Sequence, residues 1–298
     1  MPDIHWGGGT PNILSPEQFT RIWRHVCFWF DVDQAATHAV EVDPRALTPE
    51  HATAYARAGV TRASLGVQDF NAHVQHNIGR EQPASVVEQA VARLRNAGVD
   101  QISMDLMYGL PAQTKDDLLA SLRIAAAMAP QRVALFGYAH VPWFKKRQRL
   151  IDEALLPSVE ARFEQAEAAR EELVKLGYLP IGLDHFCLPG DELARASRHH
   201  DLHRNFQGYV PNQTAAILGF GPSAISTLPQ GYVQNHHQPG VWARSIEDER
   251  LPIARGHCSS GDDKLRREII EQLMCDFTTD LSKLGGAAAY ARELETLA

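Results

Sequence analysis

Residues 1–11 read MPDIHWGGGTP: a strand-like run, DIHW (3–6), delivers the chain straight onto three glycines, Gly7, Gly8 and Gly9. One glycine is enough for a tight turn. Three in a row at a strand end leave main-chain N–H and C=O groups uncovered, so a small polar ligand can approach them without meeting a Cβ. A helix start signal follows only at Ser15-Pro16, with Gln18 three residues after Ser15. The glycines therefore stand apart from a helix N-terminus and cannot present its dipole to a pyrophosphate. Asn12 takes the place of the third glycine of a G-x-G-x-x-G fingerprint and Pro11 interrupts the loop, although Glu41 could act as that motif's acidic residue. The chain has no G-K-[ST], so it has no P-loop either.

Working outward, the strand-then-helix unit recurs. HAVEVD (38–43), RASLGVQ (62–68), QISMDLMY (101–108) and RVALFGYAH (132–140) read as strands. Helix starts are expected at Thr48-Pro49, at Ser85 with Glu88 three residues on, and at Thr114 with Asp117 three residues on. The helix after Ser85 carries Val87, Val91 and Leu94 on one face and stops at Gly98. Trp6, Glu41, Gln68, Asp105 and Ala139 mark strand ends at near-regular intervals, which predicts repeated βα units and a parallel sheet. In a (β/α) barrel the active site lies at the C-terminal ends of the strands, where Glu41, Asp43, Gln68 and Asp105 fall. Glu41 and Asp43 are two apart on extended chain and share a face. Polar residues at successive strand ends point to a functional site rather than a structural polar layer.

After residue 150 the pattern loosens. A helix is expected from near Ser158 to Gly177, then a strand-like LPIGLDHF (179–186), a polar loop DLHRNFQGYVPNQT (201–214) and a glycine-rich apolar stretch AAILGFGPSAIST (215–227). From Asp262 the chain reads as helix, with Ile269, Ile270, Leu273, Met274, Phe277, Leu281 and Leu284 on one apolar face. KKRQR (145–149), just past HVPWF at the mouth side of the last clear strand, reads first as a solvated helix face and second as a basic cluster suited to a ligand with several carboxylates. His199 and His203 have the spacing of two ligands on one helix face, but no third ligand is evident and no metal site is assigned. No G-x-S-x-G elbow exists.

The 298 residues carry a net charge of −7, which argues against a nucleic-acid partner, and no apolar run is long enough to cross a bilayer. Asp3 and His5 stand where a secretory signal would need a basic and then an apolar region. Cys27, Cys187, Cys258 and Cys275 are scattered, with neither a disulfide framework nor a C-x-x-C pair. A soluble, cytoplasmic protein is expected, as a monomer without membrane or nucleic-acid partners.

HWGGGTP, EVDPR, GVQDF, DLMYGLP, YAHVPW, DHF, LHRNFQGY and GPSAIS stand in that order along the chain. Together they resemble the oxygen-independent coproporphyrinogen III oxidases (coproporphyrinogen dehydrogenases), radical S-adenosylmethionine enzymes of haem biosynthesis. The resemblance runs through nearly the whole chain, and HRNFQGY and EVDPR favour the oxidase over the related haem chaperone. It implies an α/β fold: a partial (β/α)6 barrel of TIM type, here lacking its first strand, plus the start of a C-terminal helical domain. The implied divisions are 1–150 (incomplete barrel), 151–255 (barrel completion and substrate-side loops) and 256–298 (start of the helical domain). The implied reaction converts coproporphyrinogen III to protoporphyrinogen IX. A radical from S-adenosylmethionine abstracts a hydrogen from a propionate, and loss of CO2 and one electron leaves a vinyl group, twice.

The same resemblance implies two S-adenosylmethionine sites, with the glycines receiving the amino-acid end. The matching positions are Gly8, Gly9, Thr10, Glu41, Gln68, Arg80, Asp105, Ala139, Gln207 and Ile225. Glu41 and Asp105 can accept hydrogen bonds from ribose hydroxyls or an ammonium group, and Arg80 can pair with a carboxylate. Ala139 and Ile225 can offer backbone groups and apolar contact to an adenine. His185 in DHF is read both as facing the porphyrinogen and as a satisfied core histidine. Coproporphyrinogen III and a reducing electron donor are the implied partners. The family's [4Fe–4S] cluster is held by C-x-x-x-C-x-x-C on the loop after the first strand, a motif this chain lacks. Its four cysteines sit in separate elements and cannot converge on one cluster. The chain is thus expected to begin at the family's second strand, to leave DIHWG as an unpaired edge, to end inside the final helical domain, and to be inactive alone. A non-catalytic binder of tetrapyrrole or S-adenosylmethionine, similar to the haem chaperone, is the alternative. No catalytic residue is assigned.

Overall fold

The computed structural model describes residues 1–280. The chain divides into two compact units, one of residues Met1–Asp191 and one that begins at Glu192.

The first unit runs β1 (Asp3–Trp6), α1 (Pro16–Trp29), β2 (Thr37–Val42), α2 (Pro49–Arg57), β3 (Arg62–Gln68), α3 (Ala72–Asn77), α4 (Ala84–Ala97), β4 (Gln101–Tyr108), α5 (Lys115–Ala127), β5 (Arg132–Gly137), α6 (Val159–Lys175), β6 (Leu179–Ile181) and β7 (His185–Cys187). The seven strands form one sheet in the order β1-β2-β3-β4-β5-β7-β6. β1 to β5 are parallel, and β7 and β6 run antiparallel at the far edge. The fold is therefore α/β with a mostly parallel central sheet, as the strand spacing predicts. Leu65, Ile102, Met104 and Leu106 of the strands are fully buried against Phe19, Tyr55, Leu94, Leu118, Leu122 and Leu173 of the helices. The compact units part after Asp191, where breaks were expected after 150 and 255. The β6–β7 pair extends the sheet and keeps 179–187 with the first unit.

Local signals place most helix starts. Capping boxes close the first turns of α1 at Ser15/Gln18, α2 at Thr48/His51 and α5 at Thr114/Asp117. Gly98, at φ +97°, ends α4 in the left-handed conformation. The expected cap at Ser85 is corrected: α4 starts at Ala84, with Pro83 as the N-cap. The Gln75 side chain holds both the N–H and the C=O of Gln82, at 2.8 and 2.7 Å, so the chain is pinned up to Pro83 and the helix begins two residues earlier. The single strand expected over 179–186 is two short antiparallel strands, because Gly182 turns the chain at φ +54°.

β1 is held by aromatic packing. Trp6 lies 4.5 Å from Phe19, ring centre to ring centre, and its indole N–H donates to His38 Nε2 at 2.7 Å. That bond leaves the His38 proton on Nδ1, which faces the Ala58 carbonyl at 3.2 Å. The imidazole is thus satisfied as a neutral group, and burial pushes its pKa from the usual 6.5 down to about 4. The unfolded chain takes up this proton near pH 6.5 and the folded chain only near 4. The neutral imidazole's contribution is complete above 6.5 and fades as pH falls through that window, by about 3 kcal/mol. The stability difference between the chain and a His38→Asn variant, read from urea midpoints, is expected to shrink by that amount between pH 7.5 and 4. A pH-independent difference would contradict the assignment.

The second unit runs α7 (Glu192–His199), β8 (His203–Asn205), β9 (Gly208–Val210), β10 (Ile225–Leu228), β11 (Gly231–Asn235), α8 (Pro239–Glu247), β12 (Ile253–Cys258) and α9 (Gly261–Asp276). β10, β11 and β12 form an antiparallel sheet, and β8 and β9 a hairpin inside the segment expected to be a polar loop. That hairpin hides its pattern because Arg204 lays its guanidinium over the Tyr209 ring at 4.5 Å, a pairing that hydrophobic alternation cannot report. The helix-face geometry for His199 and His203 is also corrected: His199 ends α7 and His203 opens β8, where it meets Glu271 Oε1 at 2.9 Å. α9 begins at a Ser260/Asp263 capping box and ends before Phe277, which takes φ +57°. Ile270, Leu273 and Phe277 of the expected apolar face are exposed among the described residues, while Cys275 is buried. Leu281 and Leu284 lie outside the described residues.

Candidate functional site

Five parallel strands release their chains at one end of the sheet, and register sets which side chains stand together there. Glu41 on β2 is opposite Ser64 on β3, Gly66 on β3 is opposite Asp105 on β4, Asp105 is opposite Ala134 on β5, and Ala134 is opposite His185 on β7. Side chains at paired positions, or two apart along a strand, share a face. Glu41, Ser64, Asp105 and His185 therefore form a polar row on one face of the sheet.

The three glycines have different tasks. A Cβ on Gly7 would lie 2.6 Å from Glu41 Oε1 and 2.7 Å from His5 Nε2, so these side chains lie across its bare Cα. They meet there at 3.1 Å, His5 Nε2 to Glu41 Oε1. Gly8 has φ +82° and donates its N–H to Glu41 Oε2 at 3.2 Å. Around Gly8 and Gly9 a Cβ would meet nothing within 4 Å, and both are exposed. The result is open main chain with a carboxylate anchored at its edge. Thr10 is exposed beside it, and its carbonyl accepts the Ile13 N–H at 2.9 Å at the start of the turn Pro11–Ile13. In that turn Asn12 is buried and binds the Asp43 backbone twice, at 2.9 and 3.0 Å, tying the glycine loop to the end of β2.

Asp105 receives the Ser64 hydroxyl at 3.0 Å. Burial raises its pKa from 3.8 to about 6, and the Glu41 charge pushes the same way, while the Ser64 bond, His185 and His5 pull it back. Gln68 ends β3 at φ +70°, where the register against β4 shifts. Arg80 reaches back to this strand end: Nη2 donates to the Gly66 carbonyl at 2.8 Å and lies 3.8 Å from Asp43 Oδ1. Its Nε is buried without a hydrogen-bond partner. Asp43 is itself forked by Arg45 at 3.0 and 2.7 Å, which holds its carboxyl below the usual range. Beyond β5, the Ala139 carbonyl accepts the Gln148 amide at 3.0 Å.

Gly8, Glu41, Gln68, Arg80 and Asp105 are thus joined through shared partners or strand register, with Gly9 and Thr10 contiguous on the loop and Ala139 past the end of β5. Gln207 and Ile225 belong to the second unit: Gln207 sits in the β8–β9 turn with its N–H on Asn205 Oδ1 at 2.8 Å, and Ile225 opens β10. Sequence reasoning did not single out His5 and Ser64. Ser64 lies four residues before Gln68, and His5 two residues before Gly7, so period two was the available signal.

Two carboxylates, open backbone donors and an arginine fit a ligand with hydroxyl, ammonium and carboxylate groups, which S-adenosylmethionine carries. An iron–sulfur cluster does not fit these residues. Among the described residues no group of three or more His, Cys, Asp or Glu could hold a metal ion. The four cysteines lie on α1, β7, β12 and α9. No helix among the described residues is long and apolar enough to cross a membrane.

Comparison with known proteins gives a concordant set. Residues 2–125 match the family model described as the Radical SAM superfamily. The chain is 48% identical over 281 residues to the oxygen-independent coproporphyrinogen III oxidase of Bradyrhizobium diazoefficiens, covering 94% of this chain and 62% of that protein. It is 42% identical over 294 residues to the anaerobic coproporphyrinogen III oxidase 1 of Cereibacter sphaeroides, covering 99% of this chain and 65% of that protein. The chain therefore spans somewhat under two thirds of the length of these curated relatives. Among solved structures, the Escherichia coli coproporphyrinogen III oxidase, described as a radical SAM enzyme, superposes with a TM-score of 0.95 at 35% identity, over 100% of this chain and 70% of that one.

Proposed function

Because the chain belongs to the radical SAM family of coproporphyrinogen III oxidases, we propose that it serves the oxidative decarboxylation of coproporphyrinogen III to protoporphyrinogen IX. Its part is to hold S-adenosylmethionine and the tetrapyrrole. One observation carries this reading: Glu41 is anchored on open glycine backbone where β2 ends, and Asp105 stands in the same polar row on the parallel strands. S-adenosylmethionine held there would be the source of the radical that takes hydrogen from a substrate propionate, given an electron from a reduced cluster that this chain's residues do not hold.

The chain's own residues bind and orient. Gly8 and Gly9 leave main-chain groups open to the amino-acid end of the ligand, and Thr10 stands next to them. Glu41, held by Gly8 N–H and His5, accepts from an ammonium or ribose hydroxyl on one side of the row. Asp105, oriented by Ser64, accepts on the other side once it has lost its proton above about pH 6. Arg80 brings a buried, unmatched Nε–H and a charge that suits a carboxylate. Gln68 and Ala139 complete the rim, and the two ligand positions implied by the family resemblance would share these groups with Gln207 and Ile225. We take the protein to act as a cytoplasmic monomer with a reducing electron donor as partner. The names of its relatives favour this reading over a non-catalytic binder.

The cluster's thiolate set is not among this chain's residues, so no step is routed through it. Purified chain, incubated anaerobically with iron, sulfide, a strong reductant, S-adenosylmethionine and coproporphyrinogen III, is expected to form neither 5′-deoxyadenosine nor protoporphyrinogen, while still binding both small molecules. Turnover by this polypeptide would contradict a role confined to binding. Failure to bind either molecule would overturn the proposed function.

A further inference from the structure

The segment that leaves β5 is fastened at both ends and bare in the middle. At its start Tyr138 is buried against Val74 and Leu110, and its N–H donates to the Tyr108 carbonyl at 2.8 Å. At its far end Ile151 and Leu156 pack on the same cluster, and the Leu155 carbonyl accepts the Ala112 N–H at 2.7 Å. Between these anchors the Gln148 amide closes the loop on itself. Its Nε2 donates to the Ala139 carbonyl at 3.0 Å and its Oε1 accepts the Val141 N–H at 2.6 Å. The loop is thus held at Ala139, beyond the strand end where the proposed ligand residues gather.

What the closed loop displays is unusual in a chain of net charge −7. Trp143 is 75% exposed and Phe144 74% exposed. Lys145, Lys146, Arg147 and Arg149 follow within five residues. Lys145 Nζ lies over the Phe144 ring at 5.3 Å, and Arg149 Nε reaches only the Pro142 carbonyl, at 3.3 Å. None of the four has a carboxylate partner among the described residues. Nearby acids are engaged elsewhere: Glu153 faces His140 at 3.0 Å, and Asp152 caps the turn Glu153–Leu155. A solvated helix face would interleave acids at i+3 or i+4 to relieve such repulsion. Here Lys146–Leu150 is a 3-10 turn, in which residues three apart eclipse, so Lys146 and Arg149 stand on one side. The helix-face reading of KKRQR is therefore replaced by that of a pinned, cationic, aromatic-tipped loop.

We propose that this loop binds the carboxylate rim of the tetrapyrrole. Its cations pair with propionates, while Trp143 and Phe144 cover the apolar body of the macrocycle. The inference rests on the function proposed above and names the residues that would hold its substrate. An acidic protein surface is the competing partner for the same charges.

The test titrates purified chain with coproporphyrin III, the fluorescent oxidised relative of the substrate, and in parallel with its tetramethyl ester, which has the macrocycle without the charges. The variant is K145Q/K146Q/R147Q/R149Q, with Gln148 kept. All four side chains are exposed or free of packing, so its circular dichroism and melting temperature should match those of the parent chain. The variant is expected to bind coproporphyrin about tenfold more weakly at low ionic strength, with the gap narrowing as salt rises and the ester binding both proteins alike. If the chain binds coproporphyrin and the variant does so within about twofold, the loop inference falls and the proposed function stands. In that case, retention on polyglutamate that the variant loses would reassign the loop to an acidic protein. If the parent chain binds S-adenosylmethionine but no coproporphyrin, the tetrapyrrole reading and the loop inference fall together.

Discussion

Replacing Gly7 with alanine is expected to weaken S-adenosylmethionine binding by about tenfold or more while barely moving the melting temperature. The new Cβ would sit 2.6 Å from Glu41 Oε1 and 2.7 Å from His5 Nε2, closer than carbon approaches such atoms. Both obstacles are ends of flexible side chains, so the chain accommodates the methyl by swinging them away. The stability cost is small, because the His5–Glu41 pair is partly exposed and such pairs contribute at most about 1 kcal/mol. The functional cost is larger, because the swing takes Glu41 off the Gly8 N–H and out of the row it shares with Asp105. A charge-assisted hydrogen bond to a ligand is worth roughly 1.5–3 kcal/mol, which is about one to two powers of ten in affinity. Calorimetric titration and a thermal melt on the same sample separate the two effects. Unchanged affinity would show that Glu41 does not hold the ligand, and a large drop in melting temperature would show that the glycine serves only the fold.

Asp105→Asn is expected to make the empty protein more stable and the ligand complex weaker. The folded pKa of Asp105, about 6, lies above its ordinary value of 3.8, so the fold favours the protonated acid. Its contribution is complete below about pH 4 and is lost as pH rises through 6. At neutral pH the buried charge costs about 3 kcal/mol relative to an unperturbed carboxyl. Asparagine keeps the oxygen that accepts from Ser64 and removes the charge, so the variant's melting temperature should exceed the parent's at pH 8 and match it at pH 4. The cost appears on binding, since an amide cannot supply a charged acceptor to an ammonium or ribose hydroxyl. Parent affinity should climb as pH rises through 6, and the variant's should stay flat. A variant that is less stable at pH 8, or that binds as tightly as the parent, would return Asp105 to a structural role. A residue kept at a stability cost is what a functional site leaves in a fold.

Several parts of this architecture are local, and for that reason legible. Ser15, Thr48 and Thr114 cap their helices with bonds to residues three positions on, and Gly98 ends α4 through its own backbone freedom. The end of β2 could be read because Glu41 interrupts an apolar run one residue before it, whereas β4 continues to Tyr108, three residues past the Asp105 expected to end it. What escaped depends on distant partners or on turns. The start of α4 moves to Ala84 because Gln75 grips Gln82, which no window around Ser85 contains. LPIGLDHF looks like one strand until Gly182 turns it back. The split of labour among Gly7, Gly8 and Gly9 depends on where Glu41 and His5 lie, some thirty residues apart in one case and two in the other. His5 and Ser64 are unremarkable on a strand, and register alone places Ser64 opposite Glu41. The basic loop shows the same limit: its charges are plain in the sequence, but their lack of acidic partners and the Gln148 closure are not.

The central claim is that the ends of β1 to β4 form a cradle for S-adenosylmethionine. Its most direct test is a calorimetric titration of that ligand, above pH 7, into the chain and into Gly7→Ala and Asp105→Asn. Saturable binding to the parent chain is expected, with affinities weaker by about tenfold or more in each variant. No saturable heat with the parent, or the same affinity in all three proteins, would contradict it.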